Sequence, residues 1–126
     1  MTEDELSRII IGAAIEVYRE FGGPGLLEDI SEEALCHELS LRNIGVRRQV
    51  EVPVIYKQRR LRKKLLLDLL VEDKVIVENK ATEKYHSIYE VQLLTYLRLT
   101  GKKLGLVINY GEKYLKDVVH RVVNGL

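Results

Sequence analysis

Two apolar runs, Leu65–Val71 and Val75–Val77, flank the short polar break Glu72-Asp73-Lys74, and the second run ends in Glu78-Asn79-Lys80. That pattern predicts a β-hairpin with a short loop. With a three-residue loop Val71 pairs with Val75, so Asp68 lies directly opposite Glu78 and Lys80 follows two residues on, on the same face. Cβ atoms of such a pair are roughly 5 Å apart, and two carboxylates at that distance repel unless a proton or a cation sits between them. The runs are apolar on both faces, with Leu66, Leu70 and Ile76 on the acidic side and Leu67, Leu69, Val71 and Val77 on the other. Strands of this kind are central and covered on both sides, here by helices. The hairpin thus demands a layered fold and carries an unsolved charge problem in its middle.

The flanking sequence supplies the layers. Thr2-Glu-Asp-Glu5 is a capping-box pattern, and Leu6, Ile9, Ile10, Ala13, Ala14, Val17 and Phe21 recur behind it at helical spacing. Gly22-Gly-Pro-Gly25 stops that helix. A second helix is predicted from about Asp29 to Arg42, with Asp29-x-x-Glu32 as its capping box and Gly45 just beyond its end. From Val46 the period changes to two: Val50, Val52, Val54 and Tyr56 alternate with Glu51, Pro53 and Ile55, and Pro53 marks an edge or a bulge. Lys57 to Lys64 reads as a basic connection. Ser87-Ile-Tyr-Glu90 predicts the start of a third helix that runs to about Leu99 and stops at Gly101. Lys103 to Tyr110 is a further short strand, reached by a crossover. The spacing in Leu115–Val123 is mixed and leaves strand and helix both open. The predicted order is α-α-β-β-β-α-β followed by that segment.

At 126 residues the chain is expected to form one domain, residues 1–126. Apolar residues make up 46% and charged residues 31%, a balance that excludes a disordered chain. No apolar run approaches the roughly 20 residues of a bilayer span. The acidic N-terminus argues against a signal or transit peptide, so a cytoplasmic protein without membrane attachment is expected. The lone Cys36 rules out an internal disulfide and a cysteine-based zinc cluster.

Asp68, Glu78 and Lys80 form the sharpest candidate site. An Asp followed about ten residues later by Glu-x-Lys is the spacing of a metal-dependent phosphodiesterase. Two carboxylates and the carbonyl of Asn79 can hold Mg²⁺, which takes few protein oxygens and several waters. The alternative is a pair of surface acids with a lysine counter-ion. Gln92 and Tyr96 lie at i, i+4 in the third helix and share a face with Tyr89. They read either as groups for a substrate phosphate or as an ordinary helix-surface pair. Glu28 stands at the start of the second helix, where the helix dipole favours an acid without any function. Lys57-Gln-Arg-Arg-Leu-Arg-Lys-Lys64 could follow a phosphate backbone through Arg59, Arg60, Arg62, Lys63 and Lys64, or be a solvated loop. Cys36 and His37 are adjacent on a helix and point apart, and His86 and His120 have no evident partner in sequence.

Taken together, Asp68, Glu78-Asn79-Lys80 and Gln92-x-x-x-Tyr96, preceded by Glu28, resemble the PD-(D/E)XK nuclease superfamily with a RecB-like Gln-x-x-x-Tyr extension. The chain is similar in particular to the small bacterial GxxExxY proteins, through Gly25-Leu-Leu-Glu28, Glu33-Ala-Leu35, Asp68-Leu-Leu-Val71, Val75-Ile-Val-Glu78, Gln92-Leu-Leu-Thr-Tyr-Leu97 and Gly105-Leu-Val-Ile-Asn109. It departs from them at Ser31, in place of the final Tyr of Gly-x-x-Glu-x-x-Tyr, at Asn79, where Leu is frequent, and at Tyr89, where His is frequent. Arg62-Lys63-Lys64 replaces a glycine-rich turn.

The resemblance implies an α/β fold, a three-layer α/β/α restriction-endonuclease-like core with a mixed central β-sheet. It implies Mg²⁺ (with Mn²⁺ as a substitute) at Asp68, Glu78 and the Asn79 carbonyl. Lys80 would then assist the attacking water, Glu28 would act through a metal-bound water, and Gln92 and Tyr96 would support the site. The expected activity is hydrolysis of nucleic-acid phosphodiesters, DNA before RNA, by a chain able to pair as a homodimer. The alternative is a nuclease-fold module of little or no turnover that binds nucleic acid or a protein.

Overall fold

A computed structural model describes residues 1–25 and 27–126. Leu26, within the Gly25-Leu-Leu-Glu28 motif, lies outside the described residues. The chain runs α1 (Glu3–Glu20), α2 (Glu28–Leu41), β1 (Val46–Val52), β2 (Ile55–Tyr56), β3 (Arg59–Arg60), β4 (Leu65–Val71), β5 (Val75–Lys80), α3 (Ile88–Thr100), β6 (Leu104–Asn109), a 3₁₀ turn (Leu115–Asp117) and β7 (Val119–Val123).

Among the described residues, β1-β4-β5-β6-β7 form one five-stranded sheet, and β2 and β3 form a separate small hairpin. All neighbours in the large sheet are antiparallel except β5 and β6, which α3 joins as a parallel crossover. Helices α1 and α2 cover one face, burying Leu6, Ile10, Ala13, Leu35 and Leu39 against Leu69, Val71, Val75, Val77, Leu104 and Leu106. Helix α3 covers the other, burying Leu93 and Leu97 against Leu67, Leu70, Ile76 and Val107. Full burial of each such side chain contributes roughly 1.5–3 kcal/mol. Helix α3 sits close because β6 offers Gly105 beneath Leu93; a Cβ there would lie 2.7 Å from the leucine side chain. This is the three-layer α/β/α arrangement with a mixed sheet that the resemblance implies, of the restriction-endonuclease-like kind.

Thr2 caps α1 as expected, its hydroxyl accepting from the Glu5 amide at 3.1 Å. The other two capping boxes do not form. Leu27 is the cap of α2, which places Asp29 in the first turn, and Ser87 at the start of α3 is helical in φ/ψ and makes no cap bond. Their acids are used elsewhere: Glu32 by β1 and Glu90 by the Tyr85 hydroxyl. The strand predicted to run through Tyr56 stops at Val52, ahead of Pro53, and the chain then forms the β2–β3 hairpin. Lys57 and Gln58 at its tip both have positive φ, as a two-residue type I′ loop requires. The open segment after Leu115 resolves into the 3₁₀ turn and β7.

The central hairpin keeps its predicted register, with Val71 opposite Val75 and Leu69 opposite Val77. Its side-chain alternation does not hold throughout. Leu69 and Val71 face α1 and α2, whereas Leu65 and Leu67, of the same parity, face α3, and Leu66 is left exposed. The same reversal occurs in β1, where Val46 packs on the α1–α2 side and Val50 and Val52 on the α3 side. The β1–β4 register runs from Val46–Val71 to Val52–Leu65 and skips only Gln49, whose place is opposite Asp68. Gln49 has φ 51°, a left-handed conformation inside a strand. The left-handed residue coincides with the change of faces in both strands at the level of Asp68. A non-glycine residue in that conformation costs roughly 1–2 kcal/mol. Gln49→Gly should accordingly unfold in urea at higher concentration than Gln49→Ala, by about 1 kcal/mol, since both lack the amide and only alanine keeps the strain. Equal or reversed midpoints would refute a strained Gln49.

Candidate active site

At the level of the reversal the backbone ladder of the central hairpin ends and side chains take over. The Glu78 carboxylate accepts the Asp68 amide at 2.9 Å, and the Asp68 carboxylate accepts the Asn79 amide at 2.8 Å. Each acid is thus pinned by the strand that carries the other. These bonds use Glu78 Oε2 and Asp68 Oδ2 and leave one oxygen of each carboxylate for another partner.

Glu78 is buried and Asp68 half-buried. Burial, with the Asp68 charge second, pushes the Glu78 carboxyl from 4.5 up to about 8. Asp68 also lies above its ordinary value, chiefly through burial; the Asn79 amide opposes that rise and the Glu32 charge adds to it. Lys80 lowers both values without offsetting burial. The pair therefore remains short of positive charge.

The end of β5 is fixed from the far side. The Tyr110 amide donates to the Lys80 carbonyl at 2.8 Å. Buried Asn109 accepts the Thr82 amide at 2.9 Å and donates to the Thr82 carbonyl at 3.1 Å, closing the loop after Lys80 onto β6. Gly111 must be glycine here, because a Cβ would stand 2.2 Å from the Thr82 oxygen. Lys80 itself extends over the Tyr89 ring, 4.8 Å from Nζ to the ring centre. Tyr85 meets Tyr89 edge-on at 5.4 Å and stacks on His120 at 3.8 Å, which supplies the partner that His120 lacked in sequence.

Glu28, at the first residue of α2, is exposed yet electrically part of the same group. Its carboxyl is raised, first by loss of hydration; Asp68 adds to the rise and Lys80 opposes it. The Tyr96 hydroxyl is raised by burial and then by the Glu78 and Asp68 charges. Tyr89 and Tyr96 both pack on the α3 side of the sheet, while Gln92 between them is exposed. Asp68, Glu78, Lys80, Glu28 and Tyr96 thus converge on one end of the sheet. Ser31 is buried with its hydroxyl donated to the Leu27 carbonyl at 2.9 Å, tightening the first turn of α2. Cys36 is not a nucleophile in waiting, as burial pushes its thiol up to about 11.

Sequence reasoning missed a clamp beside the site. Buried Glu32, one turn after Glu28, accepts Arg48 Nη2 at 2.9 Å and Gln49 Nε2 at 2.9 and 3.1 Å. Adjacent strand residues ordinarily point to opposite faces; the left-handed Gln49 lets both reach the same acid. The clamp holds the start of α2 against β1, across from Asp68. An acid four residues after Glu28 and facing the sheet was the only signal, and the capping-box reading had claimed it.

Among the described residues no three His, Cys, Asp or Glu side chains form a ready metal cage. The donor set at Asp68 and Glu78 still fits a hard divalent ion, which takes oxygen ligands and keeps waters. It offers two free carboxylate oxygens beside backbone, in a site whose negative charge is under-compensated.

The sequence matches the family model of the PD-(D/E)XK nuclease superfamily over residues 4–122. The chain belongs to the PD-(D/E)XK nuclease superfamily. Nucleases of this superfamily typically use divalent metal ions. Among solved structures, one titled "Crystal structure of SSO0001" is similar, at 13% identity and a TM-score of 0.47, covering 96% of this chain and 79% of that one. No curated protein matches the chain. Among the described residues no helix is long and apolar enough to cross a membrane.

Two stability measurements test the geometry of this candidate site. Between its unfolded value of 4.5 and about 8, the folded state keeps a proton on Glu78 that the unfolded state releases. Stability from this group is therefore full below the unfolded value and falls as pH rises towards the folded one. In EDTA the protein should lose stability between about pH 5 and about pH 8.5, by an amount on the order of a few kcal/mol, and Glu78→Gln should largely remove that slope. A slope unchanged in the variant would reject the raised carboxyl. The Asn79 side chain is fully buried, and among the described residues neither its oxygen nor its nitrogen has a partner. Asn79→Leu should therefore raise the urea midpoint, by about 1–3 kcal/mol of relieved desolvation; a lower midpoint would mean that the amide has a partner.

Proposed function

We propose that residues 1–126 form a Mg²⁺-dependent nuclease domain of the GxxExxY, RecB-like kind, with Mn²⁺ as a substitute, that hydrolyses phosphodiesters in nucleic acid, DNA foremost, in the cytoplasm. The observation that carries this reading is the crossed acid pair, in which each carboxylate is held by the opposite strand and one oxygen of each is left over. Asp68, Glu78 and the Asn79 carbonyl would hold the ion. A bound divalent ion lowers the pKa of its water and stabilises charge on a phosphate. Lys80 orients the attacking water and offsets charge that develops on the phosphate. Glu28 would join through a metal-bound water, and Gln92 and Tyr96 would support the site from α3. Arg59, Arg60, Arg62, Lys63 and Lys64, all exposed, supply the charge that draws in the backbone.

A second reading, a nuclease-fold module with little turnover, has its own support. The Lys80 ammonium rests on the Tyr89 ring, an attraction worth roughly 0.5–2 kcal/mol that its catalytic use would have to overcome. Calorimetry with Mn²⁺, beside cleavage of plasmid and oligonucleotide in Mg²⁺ and Mn²⁺, separates the two. For the nuclease, wild type binds and cuts, Asp68→Ala does neither, and Lys80→Ala binds Mn²⁺ but cuts at least about 100-fold more slowly, the scale of a lost electrostatic group. Binding without cutting by wild type selects the module. No divalent-ion binding at millimolar concentration sinks both.

A further inference from the structure

Beyond the acids, β4 opens onto a hollow of about 460 Å³ between α3 and the chain that leaves the β2–β3 hairpin. Its floor is Val54, Leu61, Leu65 and Leu66; Lys63 and Lys64 stand at its rim and Tyr96 forms one side. That volume lies in the range of small-molecule sites, roughly 300–1,000 Å³. Two of the floor residues are notably bare, Leu61 at 39% and Leu66 at 49% exposure.

The occupant follows from the charge around the hollow. Six of the eight residues from Lys57 to Lys64 are basic and none is acidic. Lys64 pairs with Glu51 at 3.2 Å, but both are exposed, and such a pair is worth about 0–1 kcal/mol, little enough for a phosphate to displace. A ligand suited to this place carries negative charge at its edge and a flat apolar body to lay on the leucines. A nucleotide has both. Tyr96 borders the hollow and also feels the charges of Glu78 and Asp68, and Leu66 lies two residues, roughly 7 Å, from Asp68 along the strand. A base seated here belongs to a nucleotide adjacent to any phosphate held at the acids.

We propose that the hollow is a base-binding subsite, and that the strand acted on has an unpaired base next to the cleaved phosphate. The inference rests on the nuclease reading and narrows its substrate. A base within a duplex offers its face to its neighbours and must be extruded before it can lie on Leu61 and Leu66, at an expense of a few kcal/mol. A single strand needs no such step, and basic grooves with apolar or aromatic platforms are how single strands are gripped.

Fluorescence anisotropy with labelled oligonucleotides of about 12 nucleotides, in EDTA to prevent cleavage, tests the subsite on the full chain. The arms are single-stranded DNA, RNA of the same sequence, the DNA duplex, and single strands with one abasic position moved along the sequence. The DNA or RNA single strand should bind about tenfold tighter than the duplex, and one abasic position should forfeit most of that gain, as loss of one stacked base does. Leu66→Ser should weaken the single strand about tenfold while leaving the duplex and the Mn²⁺ isotherm unchanged, the isotherm showing that the variant is folded. Tighter duplex binding, indifference to every abasic position, or Leu66→Ser with intact single-strand affinity overturns the subsite and leaves the nuclease reading in place. Failure of every oligonucleotide to bind, both in EDTA and with Ca²⁺ in its place, overturns both. Should Leu66→Ser lose Mn²⁺ binding, Leu61→Ser, on the connection outside the sheet, is read against the same outcomes.

Discussion

The site depends on one exchange of hydrogen bonds. In an ordinary hairpin the amides of facing strands are satisfied by facing carbonyls. Here the Asp68 and Asn79 amides are satisfied by Glu78 and Asp68 carboxylates, so the two strands are joined at this point through acids. The arrangement sets two carboxyl groups close together, and burial with their mutual repulsion raises Glu78, which favours a proton on it where no cation is bound. What the bonds leave over is a raised Glu78 and a single lysine. A divalent ion would supply the missing charge, and the family to which the chain belongs makes that the natural completion.

Everything around the pair serves to keep it in place. Gln49 stands at the change of faces in the neighbouring strand, Glu32 gathers Arg48 and Gln49 onto the start of α2, and Asn109 ties down the chain beyond Lys80. These are buried or half-buried contacts between elements distant in sequence. They position backbone, and the backbone positions the acids. Precision of that sort is what a phosphoryl-transfer site needs, because little covalent chemistry falls to the protein and placement does most of the work.

Much of this was legible in the sequence for reasons of period. The hairpin register followed from a three-residue break between apolar runs, and the face-to-face acids followed from the register. The helices followed from their apolar stripes and the cover on both faces of the sheet from two-sided strands, whereas its mixed character was implied by the family resemblance. What the sequence concealed was set by tertiary contact. Nothing local marks Gln49 as left-handed, since glutamine has no preference for that conformation, so the exchange of faces by Leu66 and Leu67 could not be read. Asp29-x-x-Glu32 and Ser87-x-x-Glu90 have the letters of a capping box, but Glu32 finds a better partner in Arg48 and Glu90 in Tyr85. The reach of Lys80 onto Tyr89 was hidden because the two meet only through the crossover that brings α3 back over β5.

The reversal at Asp68 also binds the two halves of the interior to each other. Along one strand, Leu65 and Leu67 belong to the packing under α3 and Leu69 and Val71 to the packing under α1 and α2, with the acid at the changeover. A strand that serves a different core on either side of one residue cannot shift to suit one of them without disturbing the other. Asp68 is therefore surveyed from two directions, like a point fixed by triangulation. It is the residue at which the two cores meet along the strand.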